Sequence, residues 1–171
     1  MSKSKRKKIT SYGCSFTFGE GLDDSKKSYP YELGRLLDDE FDIENNSSVD
    51  ESNDRIFRTF FEHLITNEQK TIYTIQWTFP DRTEFKNDDI DTEKLLRYIW
   101  SIDSLCKQFG HELIQFMPIE NKFDILPDSF LNTKEITTLV EDNTQLTEEQ
   151  HKKLGKYLLI ALINVLENKL K

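Results

Sequence analysis

Residues 71–80, Thr71-Ile-Tyr-Thr-Ile-Gln-Trp-Thr-Phe-Pro80, decide the fold. All of Thr71 to Trp77 except Gln76 are β-branched or aromatic, the residue types that fit a pleated, buried surface. Pro80 has no N–H to give to a ladder, so the strand ends in a loop there. On its N-terminal side Ile56, Phe57, Phe60, Phe61 and Leu64 recur at helical spacing behind Ser52, whose hydroxyl suits an N-cap. On its C-terminal side a long helix is expected from about Thr92, with Leu95, Leu96, Ile99, Ile102, Leu105 and Cys106 on one broad face and Gly110 as its stop. A buried strand between two amphipathic helices is the repeating unit of an α/β domain with a largely parallel sheet.

The alternation continues outward. Glu112-Leu-Ile-Gln-Phe-Met117 reads as a further strand, ended by Pro118, and Ile9-Thr-Ser-Tyr12 as the first one. Tyr29 to Leu37 reads as a short helix, with Pro30 in its first turn and Leu33, Leu36 and Leu37 sharing a face. The last helix starts at Thr147, which forms a capping-box pattern with Gln150, and buries Leu154, Leu158, Ala161, Leu162 and Val165. Residues 118–145 are acidic and weakly periodic, as loops at a sheet edge would be. No repeat or linker divides the chain, so a single domain, 9–171, is expected behind a basic flexible tail, 1–8.

The composition narrows the function. The 171 residues are 36% hydrophobic and 32% charged, enough for a core that needs neither disulfides nor metals. Cys14 and Cys106 form neither a disulfide framework nor a zinc pattern, which points to a reducing, cytoplasmic setting. No signal-peptide core and no run of membrane-spanning length is present, so no membrane partner is expected. A net charge of −8 argues against a nucleic-acid partner, because phosphate contacts need a basic face and residues 3–8 alone supply one.

Ligands of an open parallel sheet bind outside the carboxyl ends of its strands. Just after the first strand comes Gly13-Cys-Ser-Phe-Thr-Phe-Gly-Glu-Gly-Leu22. Gly13 and Gly19 permit tight turning, which lifts the hydroxyl and backbone N–H of Ser15 toward a shared pocket. Cys14 reads as a buried side chain, with a thiol nucleophile as the alternative. Arg55 and Arg82 sit among acidic neighbours and read as surface ion pairs, with an anion-binding rim as the alternative. Trp77 and Trp100 read as core or pocket-wall residues, and Trp77 alone is placed to stack on a sugar ring. No metal or phosphate-cradle pattern is present, so neither a metal nor another cofactor is expected.

Several of these segments together resemble the SGNH/GDSL hydrolases, in the order that family places them. Gly13-Cys-Ser-Phe-Thr17 resembles the family's nucleophile block, with Cys14 where Asp is usual. Asn45-Asn-Ser-Ser-Val-Asp-Glu-Ser-Asn-Asp-Arg-Ile56 resembles its second block, with Asp50 in place of the oxyanion-hole glycine. Gln76-Trp-Thr-Phe-Pro-Asp-Arg82 resembles a Trp-Thr-x-Pro-x-Arg variant of the third block associated with bacteriophage members, and puts Thr78 where the family's Asn donor stands. At the last block Asp142 falls on the family Asp, Gln145 on the catalytic His and His151 on a second, non-catalytic His. The resemblance implies a flavodoxin-like, three-layer α/β/α sandwich. It also implies Ser15 as nucleophile, Asp142 as base or orienter, Ser15, Asp50 and Thr78 around an oxyanion hole, and a pocket lined by Cys14, Asn53, Trp77 and Gln145.

The departures weaken that machinery. Glutamine positions a hydroxyl but moves no proton, a function worth roughly 10²–10⁴-fold in rate. Of the three histidines, His111 belongs to the wrong end of the sheet and His63 to mid-helix; His151 can reach Ser15 only if the preceding loop takes a different path. An unperturbed aspartate, with a pKa of about 3.9, is a poor acceptor for an alcohol proton unless burial raises it. Three functions follow as expectations: a serine esterase or deacetylase with incomplete apparatus; a degenerate binding protein, as a phage accessory or virion component; or a structural subunit. Their partners would be an ester-bearing small molecule or glycan in the first two, and a protein partner or a homo-oligomer in the last two.

Overall fold

The computed structural model describes residues 6–38, 40–82, 88–118, 123, 125–131, 136–138 and 145–167, with backbone alone at 88–90. In chain order the elements are β1 (Lys7–Tyr12), α1 (Ser15–Phe18), a 3₁₀ turn (Ser25–Lys27), α2 (Tyr29–Leu36), β2 (Phe41–Asn45) and α3 (Asn53–Thr66). They continue with β3 (Thr71–Gln76), α4 (Asp88–Phe109), β4 (Glu112–Phe116) and α5 (Glu148–Glu167). The four strands lie in the order β2-β1-β3-β4 and every pair is parallel. Ile9 stands opposite Ile43 on one side and Ile72 on the other. Beyond β4, Phe130 makes a parallel bridge to Gln115, which extends the sheet by one rung.

Side chains alternate across each strand, and the two faces carry separate cores. Tyr12, Tyr73, Ile75 and Trp77 meet Ile56 and Phe60 of α3 and Leu95, Ile99 and Ile102 of α4. Ile9, Ile72, Ile114 and Phe116 meet Tyr29 and Leu33 of α2 and Leu154, Leu158 and Leu162 of α5. This is the expected three-layer sandwich, with the sheet as its middle layer.

The termini of the helices follow their sequence signals. Ser52 caps α3 by accepting the N–H of Arg55 at 3.2 Å. Thr147 and Gln150 form the reciprocal capping box at 2.8 and 3.3 Å. Gly110, in the left-handed region at φ +73°, ends α4. The boundaries differ in two places: β1 begins at Lys7, two residues into the expected tail, and α4 begins at Asp88 rather than Thr92. Periodicity alone also passes over β2, whose Phe41-Asp-Ile-Glu-Asn45 is short and charged because it is the sheet's edge. Trp100 is 40% exposed on α4 rather than part of a core or pocket wall.

Candidate functional site

The strand order reverses between β1 and β3, since β1 connects to β2 on one side while β3 continues the sheet on the other. Such a reversal opens a crevice at the carboxyl ends. Gly13, Cys14 and Ser15 leave β1 there, and Trp77, Thr78 and Phe79 leave β3.

Ser15 is the first residue of the single-turn helix α1 and is half-buried. Gly19, at φ +86°, closes that turn by donating its N–H to Ser15 O at 2.9 Å. The Ser15 hydroxyl points along Cys14, with Oγ 3.9 Å from Sγ. Gly13 is required by close approach: a Cβ there would stand 2.9 Å from Thr17 Cβ and 3.0 Å from Gln76 Cβ. From β2, the Asn45 side chain donates to Thr17 O at 2.8 Å and so ties the β2–α3 loop to α1.

Asp50 lies in that loop at φ +59°, a left-handed conformation that glycine adopts freely and aspartate tolerates. Its side chain is 85% exposed and lies 3.9 Å from Arg82, so the carboxylate sits in solvent at the rim. Asp50 therefore holds a glycine-like backbone at the position where the sequence resemblance leads one to expect a glycine. The neighbouring Glu51 is buried instead. Its Oε1 accepts from Ser48 Oγ at 3.0 Å and pairs with Arg55 Nε at 3.2 Å, while Oε2 has no partner. Burial pushes its pKa up.

Asn53 joins two of these loops. Its Oδ1 accepts the Thr78 N–H at 3.0 Å, its Nδ2 donates to Phe79 O at 2.9 Å, and its own N–H goes to Arg82 O at 2.9 Å. The Thr78 N–H is thus engaged, and Thr78 itself is buried. Both arginines form rim ion pairs, Arg55 with Glu51 and Arg82 with Asp50.

Three expected site residues have less to give. Trp77 is wholly buried on the α4 side, where its indole donates to Gln115 Oε1 at 2.9 Å and stacks on Tyr98. It is a core residue and lines no crevice, because the strand's alternation turns it away from the α2–α5 side. His151 is 0% exposed within the α2–α5 packing. Its Nδ1 accepts the backbone N–H of Tyr29 at 3.2 Å, its ring stacks on Tyr29, and burial lowers its pKa to about 4. Gln145 lies exposed against the loop after α1, where a Cβ on Gly21 would come within 3.1 Å of its Cδ. Asp142 lies outside the described residues.

The other two histidines are engaged by other partners. His111 accepts the N–H of Thr71 at 3.2 Å, at the amino end of the sheet, and His63 bonds the Tyr12 hydroxyl from α3. Sequence reasoning missed Glu51 and Gln76. Gln76 had a signal, the lone polar amide in the apolar strand 71–77; Glu51 had none. Among the described residues no three His, Cys, Asp or Glu side chains are grouped to hold a metal ion, and no helix is long and apolar enough to cross a membrane.

Among solved structures, the chain is similar to a protein assigned to the G-D-S-L lipolytic family from Desulfitobacterium hafniense DCB-2, with a TM-score of 0.60 and 14% identity over 90% of this chain and 98% of that one. It is also similar to the psychrotrophic esterase EstA from Pseudoalteromonas sp., in a structure inhibited by monoethylphosphonate, with a TM-score of 0.52 and 14% identity over 95% and 98%. No protein-family model matches the sequence, and neither does any curated protein. At such identities the likeness is one of fold: the chain has the α/β fold of the SGNH hydrolases.

Proposed function

We propose that the chain is a serine acyl hydrolase of the SGNH type, acting on small esters or acetylated glycans, with a reduced proton-transfer apparatus. The observation that carries this reading is the local geometry at the carboxyl ends of β1 and β2: a half-buried Ser15 opens a helix after β1, and Asp50, in the loop after the neighbouring β2, keeps a glycine-like backbone. Ser15 Oγ attacks the ester carbonyl carbon, and the alcohol leaves as the acyl-serine forms; water then attacks that ester and releases the acid. The N–H groups of Ser15 and Asp50, with the Thr78 hydroxyl, stabilise the oxyanion. Asp142 takes the serine proton and returns it to the leaving alcohol. Gln145 orients without transferring a proton, and His151, held by Tyr29, stays outside the proton path.

A second reading rests on the sequence resemblance that aligns Gln145 with the family's catalytic His: the same crevice binds an ester, glycan or protein partner, in a phage particle or elsewhere, without turnover. Hydrolysis of 4-nitrophenyl acetate and labelling by a fluorophosphonate, measured from about pH 5 to 9 on wild type and Ser15→Ala, separate the two. The hydrolase reading expects turnover and labelling at Ser15, both absent from Ser15→Ala. Labelling without turnover means an acceptor serine without a working base. An inert wild type transfers the crevice to the binding reading.

A further inference from the structure

We infer that Gln76 is the positioning residue of the serine turn, one amide that clamps the residues on both sides of Ser15. The inference rests on the proposed role of Ser15 for its meaning but on geometry for its argument. Gln76 is wholly buried at the end of β3, across the switch point from Ser15. Its Oε1 accepts from the Thr17 N–H at 3.2 Å and from Thr17 Oγ1 at 2.8 Å. Its Nε2 donates to Cys14 Sγ at 3.1 Å and to Trp77 O at 3.3 Å. All four bonding positions of the amide are filled.

Neither end of that amide can be exchanged. The Thr17 N–H only donates, so oxygen must face it; Trp77 O only accepts, so nitrogen must face that side. With the amide so fixed, Nε2 falls on Cys14 Sγ, the atom toward which Ser15 Oγ points. Cys14 and Thr17 bracket Ser15 in the chain, so fixing both leaves the serine little freedom to turn. The cluster is closed from outside by the Tyr29 hydroxyl on Thr17 Oγ1 at 3.0 Å, and Gly13 supplies the space in which Gln76 and Thr17 meet. A lone amide inside a strand of β-branched and aromatic residues costs desolvation, and its four satisfied bonds, three of them to the serine turn, are what offset it.

Two variants and two readouts test this. Gln76→Met keeps length and removes all four bonds. Gln76→Glu keeps shape; its protonated form still accepts from Thr17 and donates to Cys14, whereas its ionised form puts a negative charge beside the reacting serine. The first readout is alkylation by iodoacetamide, resolved by peptide mass, with Cys106, buried in α4 on the opposite face of the sheet, as internal reference. The second is fluorophosphonate labelling of Ser15, split into its binding constant and its maximal rate.

Gln76→Met is expected to raise Cys14 alkylation at least tenfold with Cys106 unchanged, and to lower the maximal labelling rate at least tenfold with the binding constant held. In Gln76→Glu the labelling rate relative to wild type is expected to fall at least tenfold from acid to alkaline pH, which a packing role would not produce. The inference is overturned if Cys14 stays as protected as in wild type, or if both cysteines open together, since the amide then serves the whole fold. If wild type shows no labelling at Ser15, the proposed hydrolase function fails while the cysteine comparison still decides the positioning role.

Discussion

The backbone N–H of Tyr29 donates to His151 Nδ1 across 3.2 Å and joins the start of α2 to the first turn of α5. The bond requires a neutral ring, and burial alone lowers the folded pKa to about 4, against about 6.5 in the unfolded chain. Between those values the unfolded state binds the extra proton, so the stability present above about pH 6.5 is lost as pH falls toward 4 and the loss levels off below it. The full effect is about 3 kcal/mol. Urea unfolding from pH 7 to 4 is expected to show this decline. His151→Leu should flatten it while costing about 1–2 kcal/mol at pH 7 through the unpaired Tyr29 N–H. An equal pH slope in both proteins would mean that the ring titrates normally.

Asn53 carries the junction of the β2–α3 and β3–α4 loops. Asn53→Leu conserves volume but strands the Thr78 N–H and the Phe79 carbonyl, both held by that side chain. The expected loss is about 2–4 kcal/mol in chemical denaturation. A loss under about 0.5 kcal/mol would show that solvent replaces these bonds without penalty.

Asp50 holds a left-handed backbone with its carboxylate in solvent. Asp50→Gly removes the Cβ penalty and is expected to raise stability by about 0.5–1 kcal/mol, whereas Asp50→Val should lower it by about 1–2 kcal/mol. Thermal unfolding of the two variants beside wild type measures the ordering. Valine equal to glycine would place the loop in another conformation in solution.

The fold was legible because its signals are local. The apolar run at 71–77, the Ser52 cap, the capping box at Thr147 and the stop at Gly110 each act within a few residues, and each element forms where its signal stands. The strand that periodicity missed, β2, is an edge, where charged Asp42 and Glu44 hide the pattern. The site was legible only in part. Gly13 and Ser15 mark the turn in sequence, but the glycine-like backbone of Asp50 becomes visible only in its torsion angle. Trp77 looked like a pocket residue from its place at a strand end, yet alternation across the sheet sends it to the opposite core. Gln76 and His151 act through partners 59 and 122 residues away in sequence, a distance at which no local pattern speaks.

Gln145 occupies the segment that passes over Gly21, in the loop following the Ser15 helix. Gln145→His places a group that titrates near neutral pH in that segment without disturbing the core, since position 145 is exposed. Ester hydrolysis in Gln145→His is then expected to exceed wild type at least tenfold, toward the lower end of the roughly 10²–10⁴-fold that general-base catalysis contributes. Its rate should rise through a midpoint near pH 6–7, where a histidine loses its proton. The gain should vanish in the double variant with Ser15→Ala, which excludes hydrolysis by a surface imidazole. No gain over wild type would mean that residue 145 does not reach Ser15.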